Sequence, residues 1–502
     1  MNLSMLLEMV ADVHGDRVAV TCGDEQLDYR QLLDRARAAA GLLGERSQAL
    51  AAIDETSPDT PVLLFAAALA GVPFAPLNYR LSDEQLAEEL RELAPVTCVV
   101  GPEQNGRVQA GGGIVVVDRA ELPVEAAPRP ATDARDAVWL FTSGTSGTPK
   151  VVVLRHEHLV SYVLSSIEFA AAEPDEAILV SVPPYHIAGI ASVLTSVYAG
   201  RRMVQLPRFT PEAWVETVAA EQVTQAMVVP TMLGRILDLL EARGEPLPAL
   251  RHLSYGGGRM PLPVVERALR VLPHVDLVNA YGLTETASTI SVLGPEDHRA
   301  AARSDDPDAR RRLGSVGRPV PSVELEIRDP DGRVLPAGEP GEIHVRGPQV
   351  SGEYRSHRAT DEAGWFPTRD RGWLDAAGYL YLDGRADDVI VRGGENLSPG
   401  EIEDILLSHP GVADVAVVGV PDLDWGERVE AVVVPTSVTT PPDPGELQDL
   451  VRTRLRSSKT PATIHLRGEL PRNDLGKLLR FAVRDDLVAA TVDGASTNGN
   501  PT

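Results

Sequence analysis

Apolar and polar positions along this chain alternate in short blocks, some with a period near two and others near 3.6. Residues 17–21 read as a strand, Gly23-Asp24 as a turn, and 29–43 as an amphipathic helix. Residues 62–69 are apolar all round, which predicts a buried helix. Ser82-Asp-Glu-Gln85 has the form of a capping box and opens a helix with Leu86, Leu90 and Leu93 on one face. Runs at 96–100, 114–117, 323–327 and 342–345 read as strands, and 157–171 and 190–199 as helices. Towards the end, Ser398-Pro399-Gly-Glu401 offers an N-cap, an N1 proline and a capping glutamate for a helix over 401–408. Strands at 412–420 and 429–434 and a helix at 446–456 follow. Residues 126–131, rich in Pro and Ala, predict a surface linker, and 300–312, rich in Asp and Arg, a mobile surface loop. Such alternation of short strands and helices places the chain in the layered α/β class.

Two further apolar runs, 138–141 and 151–154, frame a stretch almost devoid of apolar side chains. Both read as strands, so Thr-Ser-Gly-Thr-Ser-Gly-Thr-Pro-Lys, residues 142–150, forms the tip of a hairpin. Gly144 and Gly147 let backbone amides face a bound anion. Thr142, Ser143, Thr145, Ser146 and Thr148 add hydroxyl donors, and Lys150 a compact positive charge. Together they can cradle a polyphosphate. A Walker A loop has four residues before its Gly-Lys-Ser/Thr and runs into a helix, whereas here Gly-x-x-Gly-x-Pro-Lys runs into a strand. Composition alone leaves an ordinary Ser/Thr/Gly surface turn open.

Composition narrows the class. A chain of 502 residues exceeds one compact core and divides into two or three domains. The net charge of −25 argues against a nucleic-acid partner or an anionic membrane surface. No apolar run reaches the length of a membrane span, and Glu8 and Asp12 near the N-terminus suit neither a signal nor a transit peptide. Cys22 and Cys98 provide no disulfide framework. A cytoplasmic enzyme is expected. Lysine and arginine total 47, yet lysine stands only at 150, 459 and 477. Two of these lie in short glycine-containing loops, Gly147-Thr-Pro-Lys150 and Leu475-Gly476-Lys477. Where a narrow site must hold a point charge against phosphate or carboxylate oxygens, a guanidinium is a poor substitute, so Lys150 and Lys477 become candidates.

The order of residues 142–150 resembles the phosphate loop of the adenylate-forming superfamily, which includes acyl-CoA synthetases, aryl-CoA ligases, luciferases and nonribosomal peptide synthetase adenylation domains. Further motifs follow in that superfamily's order: Pro183-Pro-Tyr-His186-Ile-Ala-Gly189, Tyr255-Gly-Gly-Gly258, Tyr281-Gly-Leu-Thr284-Glu285, Gly364-Trp-Phe-Pro-Thr-Arg-Asp370, Gly384-Arg385-Ala-Asp387 and Pro471-Arg-Asn-Asp-Leu-Gly476-Lys477. The resemblance implies a large N-terminal domain, residues 1–384, of layered α/β subdomains plus a β-barrel-like subdomain. A small mobile α+β domain would occupy 385–502, hinged near Asp387 and disordered from about residue 493.

The same resemblance implies ATP, Mg²⁺ and coenzyme A, with a carboxylic acid first joined to AMP and then passed to a thiol. In that scheme Thr142, Ser143, Gly144, Thr145, Ser146, Gly147 and Lys150 hold phosphates, and Gly257 and Gly258 run close to the adenine and the acyl group. Tyr281 stacks on adenine, Thr284 meets the α-phosphate, and Glu285 holds Mg²⁺. Asp370 accepts the ribose hydroxyls, Arg385 pairs with ribose and phosphate, and Gly393 and Gly394 close over the thiol's channel. Lys477 is the catalytic lysine, joined as a catalytic candidate by His186 at the acid pocket or its gate; Lys459 is expected to be structural. Amino-acid-activating members carry an aspartate near His186, and 185–192 contain none, so the expected acid lacks an α-amino group. Coenzyme A is the expected acceptor, with a separate carrier protein the alternative. Three departures stand out: Val151 and Arg369 where glycine is usual, and Arg259 where proline or a small residue is.

Overall fold

A computed structural model describes the chain except residues 44–46, 124–134, 143–148, 386, 387, 394, 423, 456, 474, 475, 477 and 497–502. Among the described residues the strands form four sheets. The widest has six parallel strands at its centre, in the order Asp276–Leu283, His252–Gly256, Gln225–Val228, Ala177–Val180, Arg202–Gln205 and Val18–Cys22. Antiparallel strands Ser288–Leu293 and Arg318–Pro319 edge it on one side and Glu25–Asp28 on the other. The second sheet runs Ile114–Asp118, Val96–Val100, Ala49–Ile53, Phe74–Pro76 and Asp136–Thr142, all parallel, then antiparallel Lys150–Arg155. A third is an antiparallel meander of Glu324–Arg328, Gly341–Arg346, Phe366–Leu374 and Leu380–Arg385. Its core meets the widest sheet at Ile290, Tyr281 and Leu283.

The all-apolar stretch around 62–69 now has a physical reason. Helix Asp59–Ala70 lies with Tyr29–Ala40 and Ile187–Ala199 in a single core that includes Val20 and Met203 of one sheet and Leu50, Phe74 and Val138 of the other. A helix between two sheets has no face for water. The capping box at Ser82 forms as expected, with Ser82 accepting from Gln85 N and Gln85 reaching back.

The fourth sheet joins Glu395–Leu397, Ile390–Arg392, Gly426–Pro435 and Val412–Asp422, with Thr463–Leu466 parallel to Gly426–Pro435. Both faces of this sheet are covered. Val415 and Val417 pack under helices Pro399–Leu407 and Pro444–Arg454; Ala416 and Val418 meet helix Arg480–Ser496 through Val483 and Leu487. Alternate side chains therefore serve two cores.

Four expectations fail. Residues 300–312 are not a loop: helices Pro295–Arg303 and Pro307–Arg311 occupy them. Tyr255 O–H donates to the buried His298 Nε2 at 2.8 Å, and Arg311 lies 4.9 Å from the Trp373 ring centroid. Guanidiniums over aromatic rings hold a segment whose composition suggested solvent. The helix read at 157–171 stops at Ser166, where the Ser165 and Ser166 hydroxyls bond the Tyr162 carbonyl. Ser398 sits at the N-cap position but donates its hydroxyl to Asp383 O at 2.6 Å, while Glu401 pairs with Lys459. Tertiary partners have replaced that capping box. Finally, the chain is helical past residue 493, to Ser496. None of the described helices is long and apolar enough to cross a membrane.

Candidate active site

Parallel strands deliver their following loops to one edge of a sheet, and that edge is where open α/β sheets bind ligands. Here Val180 leads to the His186 segment, Val228 to Pro230-Thr231, Gly256 to Gly257-Gly258, and Leu283 to the Thr284–Thr286 turn. In the second sheet, Asp136–Thr142 leads to the cradle and Lys150–Arg155 leaves it. Lys150 falls in register with Thr142, so the expected hairpin is present on either side of its tip. The tip residues Ser143, Gly144, Thr145, Ser146 and Gly147 lie outside the described residues, as do Asp387, Gly394 and Lys477.

The Glu285 turn is fixed by its backbone. Glu285 O accepts from Ser351 N at 2.9 Å and Gly352 N at 3.0 Å, and Thr286 Oγ1 accepts from Leu283 N at 3.0 Å. The segment that grips Glu285 also pairs with the Lys150 strand, through Val153 N to Glu353 O at 2.8 Å. It thus splices one sheet to the other. On that splice, the Tyr354 hydroxyl donates to Glu285 Oε1 at 2.8 Å, and Lys150 Nζ stands 5.8 Å from the Tyr354 ring centroid. Burial and then the Glu285 carboxylate push the Tyr354 phenol well above its ordinary range, so it remains a donor. Sequence reasoning missed Tyr354, because nothing in Gly352-Glu-Tyr-Arg355 marks it.

A second group adjoins. The Tyr281 hydroxyl donates to Asp370 Oδ2 at 2.6 Å, and Arg385 Nη1 donates to Asp370 Oδ1 at 3.0 Å. A carboxylate has about four lone-pair positions, so Asp370 retains capacity for two ribose hydroxyls. Burial, followed by the Asp370 charge, holds the Tyr281 phenol far above its usual range. Arg385 acts electrostatically on Tyr354 and on Tyr281, which links the two groups. Beside Asp370 the strand bulges, and Arg369 takes φ +61°. The backbone has kept the left-handed shape that suits glycine, at a cost of about 1 kcal/mol for a residue with a side chain.

Gly257 also needs its positive φ, +76°, while a Cβ at Gly256 would overlap the Ala280 carbonyl. A Cβ at Gly258 would meet only Pro230, in ordinary contact. His186 keeps different company from the Glu285 group. Its ring lies 4.5 Å from that of Tyr185, which lies 5.9 Å from Tyr79. Burial, helped by the Arg80 charge, lowers its pKa to about 3, so the ring is neutral at working pH. Its Nε2 is buried with no hydrogen-bond partner among the described residues.

From the small domain, Gly476 reaches this edge. Its φ is +73°, and a Cβ there would overlap Thr231 Oγ1. Arg472 donates to Gly476 O at 2.6 Å and pairs with Asp414 at 2.5 Å, which holds the loop in shape. Gly393 donates its N–H to Trp425 O at 2.7 Å. Lys459 pairs with Glu401, a contact within the small domain. No cluster of three or more metal-ligating side chains occurs among the described residues. One carboxylate, Glu285, suits Mg²⁺ held mainly by polyphosphate and water oxygens.

A carboxylate held by a tyrosine and an arginine, a second carboxylate near Lys150, and a smaller domain packed beside them are what a nucleotide-dependent ligase would need. Comparison with known proteins agrees: the chain matches the AMP-binding enzyme family over residues 7–355 and the AMP-binding enzyme C-terminal domain over 401–477. It belongs to that family, within the adenylate-forming superfamily. It is 34% identical over 490 residues to a 2-succinylbenzoate–CoA ligase from Bacillus licheniformis, covering 94% of this chain and 98% of that one. A fatty acid–[acyl-carrier-protein] ligase from Streptomyces coeruleorubidus is 31% identical, covering 93% of each. The structure of o-succinylbenzoate CoA synthetase from Bacillus subtilis, in complex with its acyl-adenylate intermediate, aligns with TM-score 0.82 and 31% identity over 96% of this chain and 98% of that chain.

Proposed function

We propose that the chain is an AMP-forming acid–CoA ligase acting on an aromatic carboxylic acid without an α-amino group. The observation that carries this is the single cluster of side chains in which Lys150, Tyr354 and Glu285 adjoin Tyr281, Asp370 and Arg385. The reaction requires a carboxylate oxygen to attack the α-phosphorus of ATP, two centres that repel each other. Lys150 and Lys477 offset that charge, and Thr284 and Glu285 orient the phosphates and their Mg²⁺. The new O–P bond expels pyrophosphate and leaves an acyl-adenylate. A thiol then attacks the acyl carbonyl, loses its proton and releases AMP.

The acid is read from the His186 segment. No carboxylate side chain occurs in 185–192 to hold an α-ammonium group. The neutral His186 Nε2 has hydrogen-bonding capacity to spare, and Tyr79 and Tyr185 offer ring edges. The aromatic character of the acid named for the Bacillus relatives supports the same class.

A panel of aromatic, fatty and amino acids tests this, scored by acid-dependent exchange of labelled pyrophosphate into ATP. Aromatic acids should support exchange and α-amino acids none. Exchange driven best by amino acids would overturn the substrate reading, and ATP hydrolysis with no acid present would overturn the ligase reading. The carrier-protein relative favours a second acceptor, so coenzyme A and a phosphopantetheinylated carrier protein should each be offered; CoA should give the faster thioester formation.

A further inference from the structure

Arg259 follows the Gly257-Gly258 turn, and its side chain leaves its own domain. The guanidinium pairs with Asp404 on helix Pro399–Leu407 of the small domain. It also fills the space where a Cβ on residue 400 would lie, because such an atom would overlap Arg259 Nη1. Its charge acts further on Asp383 and Glu403. The turn beside the crevice is thereby tied to the first helix of the domain that carries Lys477.

We infer that Arg259 is a positioning residue, a latch that holds the small domain in the adenylate-forming orientation and opens before thioester formation. The inference rests on the proposed two-step reaction and on rotation of the small domain between the steps. Two contacts define the latched state. Arg259 meets Gly400 and Asp404 near the start of the small domain, and Gly476 meets Thr231 near its end. Both receiving loops, 257–259 and 229–231, are neighbours, since a Cβ at Gly257 would lie 3.5 Å from Val229 Cγ1. With the latch closed, the residue before Lys477 is at the crevice rim.

The strength of the contact suits a part that must open at each turnover. The Arg259 and Asp404 side chains are 42% and 45% exposed, and exposed pairs contribute little. A bias of about 1.5- to 5-fold in a two-state equilibrium follows. A fully buried pair would hold the domain in one state. Gly400 supplies a control: Ala there favours the helix yet displaces the guanidinium.

The test uses full-length Arg259→Ala, Asp404→Ala, Gly400→Ala and the Arg259→Ala/Asp404→Ala double variant. Each should slow acid-dependent pyrophosphate exchange by about 2- to 5-fold, the double no more than either single. Thioester formation from supplied acyl-adenylate should be unchanged or faster, and the swap Arg259→Asp/Asp404→Arg should restore exchange. Multiplying single effects, or equal loss in both half-reactions, would overturn the latch. A fluorescence pair on Val13→Cys and Val438→Cys, both exposed, in a Cys22→Ser background, reads domain position without turnover. The latch requires a shifted distance distribution in Arg259→Ala; an unchanged one rejects it even if no acid is ever activated. Absence of exchange in the wild type with a shifted distribution rejects the ligase reading, and with it the latch's place between two half-reactions, and retains only the Arg259 contact as what sets domain position.

Discussion

Tyr354 is the residue on which the two largest sheets and the proposed chemistry meet. Its hydroxyl fixes Oε1 of Glu285, while Oε2 has no hydrogen bond among the described residues, and its ring centroid lies 5.8 Å from Lys150 Nζ. A hydrogen bond to a charged group contributes about 1.5–3 kcal/mol. Tyr354→Phe should therefore lower the pyrophosphate-exchange rate roughly 10-fold or more and raise the Mg²⁺ concentration needed for half-maximal rate. The melting temperature should fall by no more than a few degrees, because the ring and its packing remain. Exchange measured against Mg²⁺ checks it: an unaltered Mg²⁺ dependence would remove Tyr354 from the cation site. Arg369 teaches the complementary lesson. Glycine is usual at its position, and the bulge beside Asp370 imposes φ +61° on an arginine all the same.

Among elements, helix Asp83–Leu93 shows how the hydrophobic pattern can be correct and still incomplete. Leu86, Leu90 and Leu93 face inward as read, and Glu89 goes with them, 8% exposed, its Oε2 lacking a hydrogen bond among the described residues. Burial, then the neighbouring Glu92, raises its pKa to about 7. A carboxyl whose folded pKa is raised contributes stability that is fully present below the unfolded value, near 4.5, and lost as pH climbs through about 7. Glu89→Gln should thus be more stable than wild type by about 1–3 kcal/mol at pH 8.5, with the difference gone at pH 4.5. Urea midpoints at the two pH values decide it, and equal differences at both would show the carboxyl to be solvated. The elements that sequence exposed plainly were those under a single demand: the all-apolar helix between two sheets, and the strands flanking the cradle. Those it hid answer to distant partners. Arginines stacked on Trp373 and Tyr379 make helices of 295–311, and Asp383 takes the hydroxyl that would have capped helix Pro399–Leu407. The candidate site residues were legible only through motifs that resemble the adenylate-forming superfamily, several of them on loops that follow a strand. Tyr354 was not, because its role arises only when residues 351–354 splice two sheets.

At the scale of the whole molecule, the question is what a ligase gains if the proposed catalytic lysine, Lys477, comes from the far end of the chain. Gly476 packs on Thr231 with no room for a Cβ, so the small domain here is seated with the loop before Lys477 against the crevice. A charge brought by a separate domain can be present while two anions are joined and absent when a thiol must approach the product. A lysine rooted in the large domain would occupy the crevice in both steps. Lys477→Ala should accordingly reduce adenylate formation by roughly 10²- to 10³-fold, the usual effect of removing one group aimed at developing charge. Thioester formation from supplied acyl-adenylate should remain within about 2-fold of wild type, since on this account the lysine has already withdrawn. Lys150→Ala gives the contrast, because its ammonium stays beside Tyr354 throughout and its loss should impair whichever step still has phosphate in the crevice. If Lys477→Ala slowed both half-reactions equally, the small domain would be a fixed wall of the site and the two-position scheme would fall.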